Sequence, residues 1–252
     1  MDTPAQADTG YRFASLAWEL AQVPGSDSTS QRVVDLAVTT MGCDGAAITT
    51  LRENETVRII AASDPRVVEA AANIANRTGQ SATKAVLAEK ATIVNNDVET
   101  DPRWESYRRE MVANTPVRST ASFYLMLGGT ELGVMGFYSE KKNFFTSDVL
   151  YDCAIFADHA AVALRAARIE ERIRELATAV DTNREIGVAI GIVMSRYNLT
   201  KDAAFDMLVV ASSHTNRKLR DIARETVGTG DVPSWRSKRK TDSTRVAPPA
   251  GG

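Results

Sequence analysis

The chain has few of the residues that covalent cross-links and metal sites need. Its 252 residues include only two cysteines and two histidines. Cys43 and Cys153 are far apart and form no CxxC pair, so we expect two free, buried thiols in a reducing compartment. We therefore predict no disulfide and no resident metal, and the sequence identifies no cofactor.

Long apolar runs are also missing. No apolar run approaches the 18 or so residues of a membrane-spanning helix. The first ten residues lack the basic and apolar regions of a secretory signal, so we expect a cytoplasmic protein without a membrane partner. The apolar fraction of 44% and the charged fraction of 25% are ordinary for a globular protein, and the length allows one large or two small domains.

The small net charge of −2 hides an asymmetry along the chain. Residues 1–160 carry 14 basic and 21 acidic side chains, whereas residues 184–227 carry 7 and 5, and residues 228–252 carry 5 and 2. An acidic segment repels nucleic acid, whereas a basic one can approach a phosphate backbone. The charge distribution therefore favours a nucleic-acid partner for the C-terminal part.

Residues 1–165 have the alternating pattern of an α+β domain. Strand-like segments and helical patterns follow one another, and a hairpin is predicted where GGT separates two strands. Pro102 is placed in the first turn of the last of these helices, where proline is tolerated. The predicted helices are 11–22, 30–41, 65–76, 81–90 and 101–114, and the predicted strands are 46–51, 56–63, 92–96, 119–127 and 131–140.

Six short motifs in residues 10–165 give this part a resemblance to the GAF family. The resemblance implies an antiparallel sheet with helices on one face and loops over the other, and small ligands often sit under those loops. The motifs are Gly79-Gln80-Ser81, Val94-Asn95-Asn96-Asp97, Asp101-Pro102-Arg103-Trp104, Val117-Arg118-Ser119, Leu132-Gly133-Val134-Met135-Gly136 and Asn143-Phe144-Phe145.

The identity of a ligand does not follow from these motifs. The signature of cyclic-nucleotide binders is absent, and Cys43 lies in a helix-to-strand connection, where a bilin is not expected. The only histidines that could bind haem iron are His159 and His214, each alone on a helix. Two isolated cysteines argue against a GAF-type methionine sulfoxide reductase. An unidentified small ligand and a purely structural domain both stay open, and no catalytic residue is predicted.

Residues 166–183 are predicted to form a coiled coil. No Pro or Gly interrupts the chain from Ser147 to Gly187, and apolar positions alternate in steps of four and three. Ile190 and Met194 continue this register. We expect a parallel homodimer, the alternative being that the stripe packs on its own GAF-like domain. The predicted dimer seam is Ile169, Ile173, Leu176, Val180 and Asn183.

Residues 184–228 contain three short helical patterns and resemble an ANTAR domain. The resemblance implies RNA binding and transcription antitermination, with a pair of neighbouring hairpins as the target. Thr200 is expected to cap the second helix, Thr215 or Asn216 the third, and Gly228 to end it. The matching residues are Arg184, Ile186-Gly187, Ala189, Gly191-Ile192, Met194, Arg196, Ala203, Phe205, Leu208, Ser212, Thr215-Asn216-Arg217-Lys218-Leu219, Asp221 and Ala223.

The candidate RNA-binding residues follow from this match and from their chemistry. Basic side chains suit phosphates, and an asparagine can either bond a base edge or cap a helix, with capping the favoured role. The helix–turn–helix pattern of residues 201–227 also fits a DNA-binding transcription factor. A basic tail with Trp235, residues 229–252, is expected to be disordered and either to add affinity or only to solubilise. The candidates are Arg184, Arg196, Asn216, Arg217, Lys218 and Arg220.

Overall fold

A computed structural model describes residues 26–233, which divide into two compact units at Glu171/Arg172. The first unit contains a five-stranded antiparallel sheet with the strand order β2-β1-β5-β4-β3. This arrangement confirms the α+β prediction. The strands are β1 (Gly45–Leu51), β2 (Val57–Ala62), β3 (Ile93–Asn95), β4 (Ser119–Leu127) and β5 (Thr130–Ser139).

Within residues 26–233, five helices belong wholly or partly to this unit. They are α1 (Ser26–Met41), α2 (Pro65–Thr78), α3 (Ala82–Glu89), α4 (Glu105–Asn114) and α5 (Ser147–Tyr197). Neither the 51-residue α5 nor any other described helix is apolar enough to cross a membrane. The predicted helix at 11–22 lies outside the described residues.

Side chains alternate between the two faces of the sheet, as strand geometry requires. On one face, Ile48, Phe123 and Phe137 pack against α1 and α5 in the main core. On the other face, Ala47 and Val134 belong to smaller apolar clusters formed with α2, α3 and α4. Helices therefore cover both faces, whereas the family resemblance led us to expect only loops over the second.

The α4 helix begins four residues later than its sequence pattern indicates. Pro102 lies in a turn before the helix, not in its first turn. The Asp101 carboxylate accepts hydrogen bonds from the backbone N–H of Arg103 at 2.9 Å and from its guanidinium. These bonds stabilise a turn, and the helix starts after Trp104, which supplies no side-chain cap.

The β4–β5 hairpin depends on glycine at two kinds of position. Gly128 and Gly129 form its turn with φ of 57° and 74°, the positive values that suit a tight hairpin. Gly133 in β5 has φ of 128°, and a Cβ atom there would lie 2.5 Å from the carbonyl oxygen of Thr49 on β1. Only glycine fits this position, because both its backbone conformation and the close approach of β1 exclude a side chain.

The second unit consists of the end of α5 with α6 (Lys201–Thr215) and α7 (Leu219–Thr229). Its core contains Ala189, Val193, Leu208 and Ile222, all fully buried. Asn198, with φ of 53°, follows the end of α5, and the Thr200 hydroxyl accepts a bond from the N–H of Ala203 to cap α6, as predicted.

Two predicted boundaries of α7 are wrong. Residue 216 ends α6 in a left-handed conformation, so the α7 helix starts after Lys218 and not after Thr215 or Asn216. Gly228 lies inside α7, and the left-handed C-cap is Gly230. Asparagine and glycine both tolerate positive φ, so the sequence offers several possible caps, and packing of Ile222 and Thr226 into the module extends the helix to the later one.

Replacement of Gly133 by alanine tests the hairpin geometry. We expect Gly133→Ala to lower the free energy of unfolding by about 2–3 kcal/mol, because the new Cβ meets the Thr49 carbonyl and the backbone conformation becomes strained. Chemical denaturation measures the change. Gly136→Ala is the matched control, since its Cβ would lie 3.9 Å from the nearest atoms. Equal effects of the two variants would contradict the explanation.

Candidate nucleic-acid interface

All six candidate residues for nucleic-acid binding are exposed on the second unit. Arg184 and Arg196 lie on α5, residue 216 ends α6, residues 217–218 join it to α7, and Arg220 lies in the first turn of α7. Arg184 and Arg196 are twelve positions apart, which corresponds to roughly 18 Å along a helix and leaves their side chains about a third of a turn apart around it. These two arginines therefore do not share one surface.

Five of the candidates lie in or beside the segments of α5 and α7 that one ion pair brings together. The guanidinium of Arg224 pairs with the Glu185 carboxylate at 3.2 Å and holds α7 against α5. Arg184 adjoins Glu185 in sequence, and Arg220 lies one helical turn before Arg224, so both flank this ion pair. The loop of residues 216–218 leads into the same end of α7. We call this surface the basic end: Arg184, Asn216, Arg217, Lys218 and Arg220.

The loop at the basic end is fixed by its backbone. The Ser212 hydroxyl donates to the carbonyl oxygen of Arg217 at 2.6 Å, and the N–H of Arg217 donates to the Ser212 carbonyl at 3.1 Å. The backbone of Asn216, with φ of 51°, ends α6, and its side-chain amide bonds to no residue that the structure describes. The favoured capping role of this side chain is therefore wrong, and the amide is left available for a base edge.

The charges at the basic end are only partly neutralised. Arg217 pairs with Glu225 at 2.7 Å, and Arg220 lies 3.7 Å from Asp221. Both pairs are about 40% exposed, so each is worth at most about 1 kcal/mol and can exchange for a phosphate. Within residues 26–233, Arg184 and Lys218 form no ion pair. No sequence pattern points to Glu225 as a partner, because eight residues separate it from Arg217.

Arg196 has a different setting from the other candidates. Its guanidinium pairs at 3.2 Å with Asp231, whose side chain is only 8% exposed. The hydroxyl of Tyr197 donates to the same carboxylate, and burial together with this negative charge raises the pKa of Tyr197. Arg196 thus links the end of α5 to Asp231, which follows α7. We assign Arg196 a structural role and do not include it in the basic end.

The predicted seam is an exposed apolar stripe on α5. Ile169, Ile173, Leu176 and Val180 are between 47% and 66% exposed, and Asn183 is exposed as well. Of residues 172–184, only Thr182 is even half-buried. Ile190 departs from the expected register, because it is buried with Met207 and Leu208 in the core of its own module.

The histidines and cysteines lie in surroundings typical of residues with a structural role. No group of three His, Cys, Asp or Glu side chains within residues 26–233 is arranged to hold a metal ion. The Nδ1 atoms of His159 and His214 each lie 2.9 Å from the carbonyl oxygen four residues earlier. Cys43 and Cys153 are free and buried, and burial raises their pKa values to about 11 and about 12. Neither thiol is a ready nucleophile at neutral pH.

Comparisons with known proteins identify both parts of the chain. Residues 25–165 match the family model of the GAF domain, and residues 174–227 match that of the ANTAR domain. No match was found among curated proteins.

Solved structures with the first unit's fold are distant in sequence. The GAF domain of a phosphoenolpyruvate-protein phosphotransferase from Coxiella burnetii is 14% identical with a TM-score of 0.53, over 68% of this chain and 99% of that one. The free methionine-R-sulfoxide reductase of Neisseria meningitidis, solved with its substrate, is 13% identical with a TM-score of 0.50, over 68% and 96%. At these identities the likeness shows the fold alone.

Removal of the Glu225 charge tests whether the ion pair with Glu225 limits the binding of Arg217 to a phosphate. We expect Glu225→Gln to bind an RNA hairpin about twofold to fivefold more tightly, because Arg217 no longer leaves a partner to reach a phosphate. Fluorescence titration measures the affinity. Glu110→Gln is the control, since Glu110 also pairs with an arginine, Arg77, but lies in the GAF domain. Weaker binding by Glu225→Gln would contradict this description of the basic end.

Proposed function

The chain belongs to the GAF–ANTAR family, and we propose that it regulates transcription antitermination by binding pairs of hairpins in nascent RNA. The ANTAR domain makes the RNA contact, and the GAF domain controls it. One observation carries the proposal: the segment that matches the ANTAR family, residues 174–227, is the segment whose surface carries the basic end.

The chemistry of the basic end supports RNA over other polyanions. Hairpin loops display splayed bases and bent backbone, so recognition needs cations for phosphates and a few groups for base edges. Lys218 and Arg184 supply positive charge, and the Asn216 amide supplies one donor and one acceptor within the same surface. The N-terminus of α7 adds the positive end of a helix dipole beside them.

A target that consists of two RNA hairpins also suggests a role for the exposed apolar stripe on α5. We propose that Ile169, Ile173, Leu176 and Val180 pair with the same residues of a second copy in a parallel coiled coil. β-Branched residues at the a positions, here Ile173 and Val180, with Leu176 at d suit a two-stranded parallel arrangement. Each chain of the dimer then presents one ANTAR domain to one hairpin.

A DNA-binding regulator is the second candidate. The α6 helix, the three-residue connection 216–218 and α7 follow the layout of a helix-turn-helix. In such a protein the start of α7 enters the major groove, so Lys218 and Arg220 would contact DNA. The two candidates share the basic end and differ in the nucleic acid that binds most tightly.

Competition between nucleic acids, together with charge reversal, separates these candidates. We expect two neighbouring hairpins to bind far more tightly than duplex DNA of equal charge. The double variant Arg217→Glu and Lys218→Glu should lose most of this affinity, and its log K should fall less steeply with log salt, by roughly 0.7–0.9 per lost phosphate contact. Titrations at several salt concentrations measure both quantities.

The matched control reverses Arg52 and Arg66, two exposed arginines of the GAF domain, and changes the net charge equally. It should retain the affinity and the salt dependence of the wild type. Unchanged RNA affinity in a folded Arg217/Lys218 variant would show that the basic end is only a solvated surface. Tighter binding of a palindromic duplex than of any hairpin pair would favour the DNA-binding candidate.

Leu176→Asp tests the proposed dimer. A coiled coil would bury this carboxylate twice, once from each chain, and burial of unpaired charge is costly. We expect a monomer that binds a single hairpin weakly and shows no preference for two. Light scattering and RNA titration on the same sample measure both effects.

Thr178→Asp is the control for Leu176→Asp. It adds the same charge two residues away at heptad position f, on the side of the helix away from the seam. This variant should remain dimeric. A wild-type protein that is monomeric at micromolar concentration, with and without RNA, would contradict the dimer.

A further inference from the structure

A cavity of about 110 Å³ lies within the GAF domain. It lies between the sheet face formed partly by β4 and β5 and the helices α2, α3 and α4. An engineered protein cavity of about 150 Å³ holds one benzene molecule. The space in the GAF domain therefore suits a molecule no larger than a small ring.

The described residues that line this cavity carry no charge. Most contribute apolar surface, among them Val57, Val68, Met111, Val117 and Val134. The nearby Arg103 and Asp101 neutralise each other in an ion pair, and neither lines the space. Transfer of an ion from water into such surroundings is strongly unfavourable without a partner charge. The lining therefore selects against cyclic nucleotides and free amino acids, and its size excludes bilins and haem.

A few hydroxyl groups line the same cavity without a protein partner. Tyr107 on α4 and Thr120 and Ser122 on β4 form no side-chain hydrogen bond within the described part of the chain. Other polar groups of the lining are already engaged: Thr49 and Thr83 bond each other at 3.0 Å, and the Ser81 oxygen caps α3. Hydroxyls that line a cavity and have no protein partner can form a hydrogen bond with a ligand or water there.

Tyr107 is the best placed of these groups to hold a ligand. Its ring packs edge-on against Trp104, with 6.3 Å between the centroids, and this contact helps to hold the tyrosine ring in place. Burial raises the pKa of Tyr107 to about 12, so the phenol stays neutral and can donate. A donor fixed in an apolar space orients a ligand that carries an acceptor.

From this geometry we propose that the GAF cavity binds a small uncharged molecule, with an apolar body about the size of a five- or six-membered ring and one polar group bonded to Tyr107. The inference deepens the proposed sensor role and rests on it for any effect on RNA. The binding itself does not depend on RNA.

Two matched pairs of probes test the chemistry on the full chain. Cyclopentanol and cyclopentylammonium share a ring and differ in charge, whereas phenol and toluene share a ring and differ in the hydroxyl. Met111 lines the cavity, so the NMR signal of its methyl group reports occupancy. We expect cyclopentanol and phenol to shift this signal saturably and cyclopentylammonium to bind at least tenfold more weakly.

Tyr107→Phe should weaken phenol binding by about threefold to tenfold, the loss of one hydrogen bond, and leave toluene within about twofold. Tyr151→Phe is the control, since it removes the same hydroxyl from an exposed position on α5. Ala71→Leu places a larger side chain in the cavity and should abolish binding of every probe. Because Tyr107→Phe preserves the ring packing, it tests the proposal even if Ala71→Leu fails to fold.

Equal affinity for the charged and neutral rings, or no saturable binding of any neutral probe, would overturn the proposal and leave the cavity as a hydrated void. Unchanged phenol binding by Tyr107→Phe would overturn the assignment of Tyr107. RNA titration of the same protein without probes distinguishes failure of the ligand proposal from failure of the proposed function. Hairpin binding without probe binding contradicts only this inference, and probe binding without hairpin binding contradicts only the proposed function.

Discussion

Both hydrophobic cores of this protein depend on one continuous helix. The α5 helix contributes Cys153, Phe156 and Leu164 to the GAF core and Ala189 and Val193 to the ANTAR core, while residues 172–184 are covered by neither. A stretch of about thirteen residues is marginal as an isolated helix in water. Burial of its exposed apolar stripe can stabilise this stretch. Complete burial of an aliphatic side chain contributes roughly 1.5–3 kcal/mol to stability, and about half of each of these side chains is still exposed. The proposed self-association through this stripe would account for both the helix and the apolar residues on it.

The same helix connects the proposed sensor to the proposed output. On the GAF side, the Arg168 guanidinium donates to the Leu132 carbonyl at 3.0 Å, and Arg165 donates to the Thr130 hydroxyl, so α5 is tied to β5. β5 in turn contributes Val134 and Gly136 to the cavity. A ligand that moves β5 therefore acts on a strand already bonded to α5. On the ANTAR side, Glu185 of α5 positions α7 through Arg224, at the basic end.

Local patterns in the sequence predicted most of the fold. Strand-like segments indicated the strands, the GGT turn identified the hairpin, and the absence of Pro and Gly identified α5. Two of the errors occurred where one residue type suits two roles: Asn216 fits either end of a helix, and Gly228 and Gly230 are both possible stops. The basic end was predicted from composition and family resemblance, but the Arg217–Glu225 pair required knowledge of the loop. The cavity was beyond prediction, because Tyr107, Ser122 and Gly136 come together only through the tertiary structure.

We propose that two copies of this chain bind two neighbouring hairpins. Native mass spectrometry of the wild-type protein with a tandem-hairpin RNA tests this proposal, because the mass of the complex gives the number of chains on each RNA. We expect two chains on one RNA, with no abundant complex of one chain. A single chain bound to the tandem RNA at saturating protein would contradict the claim.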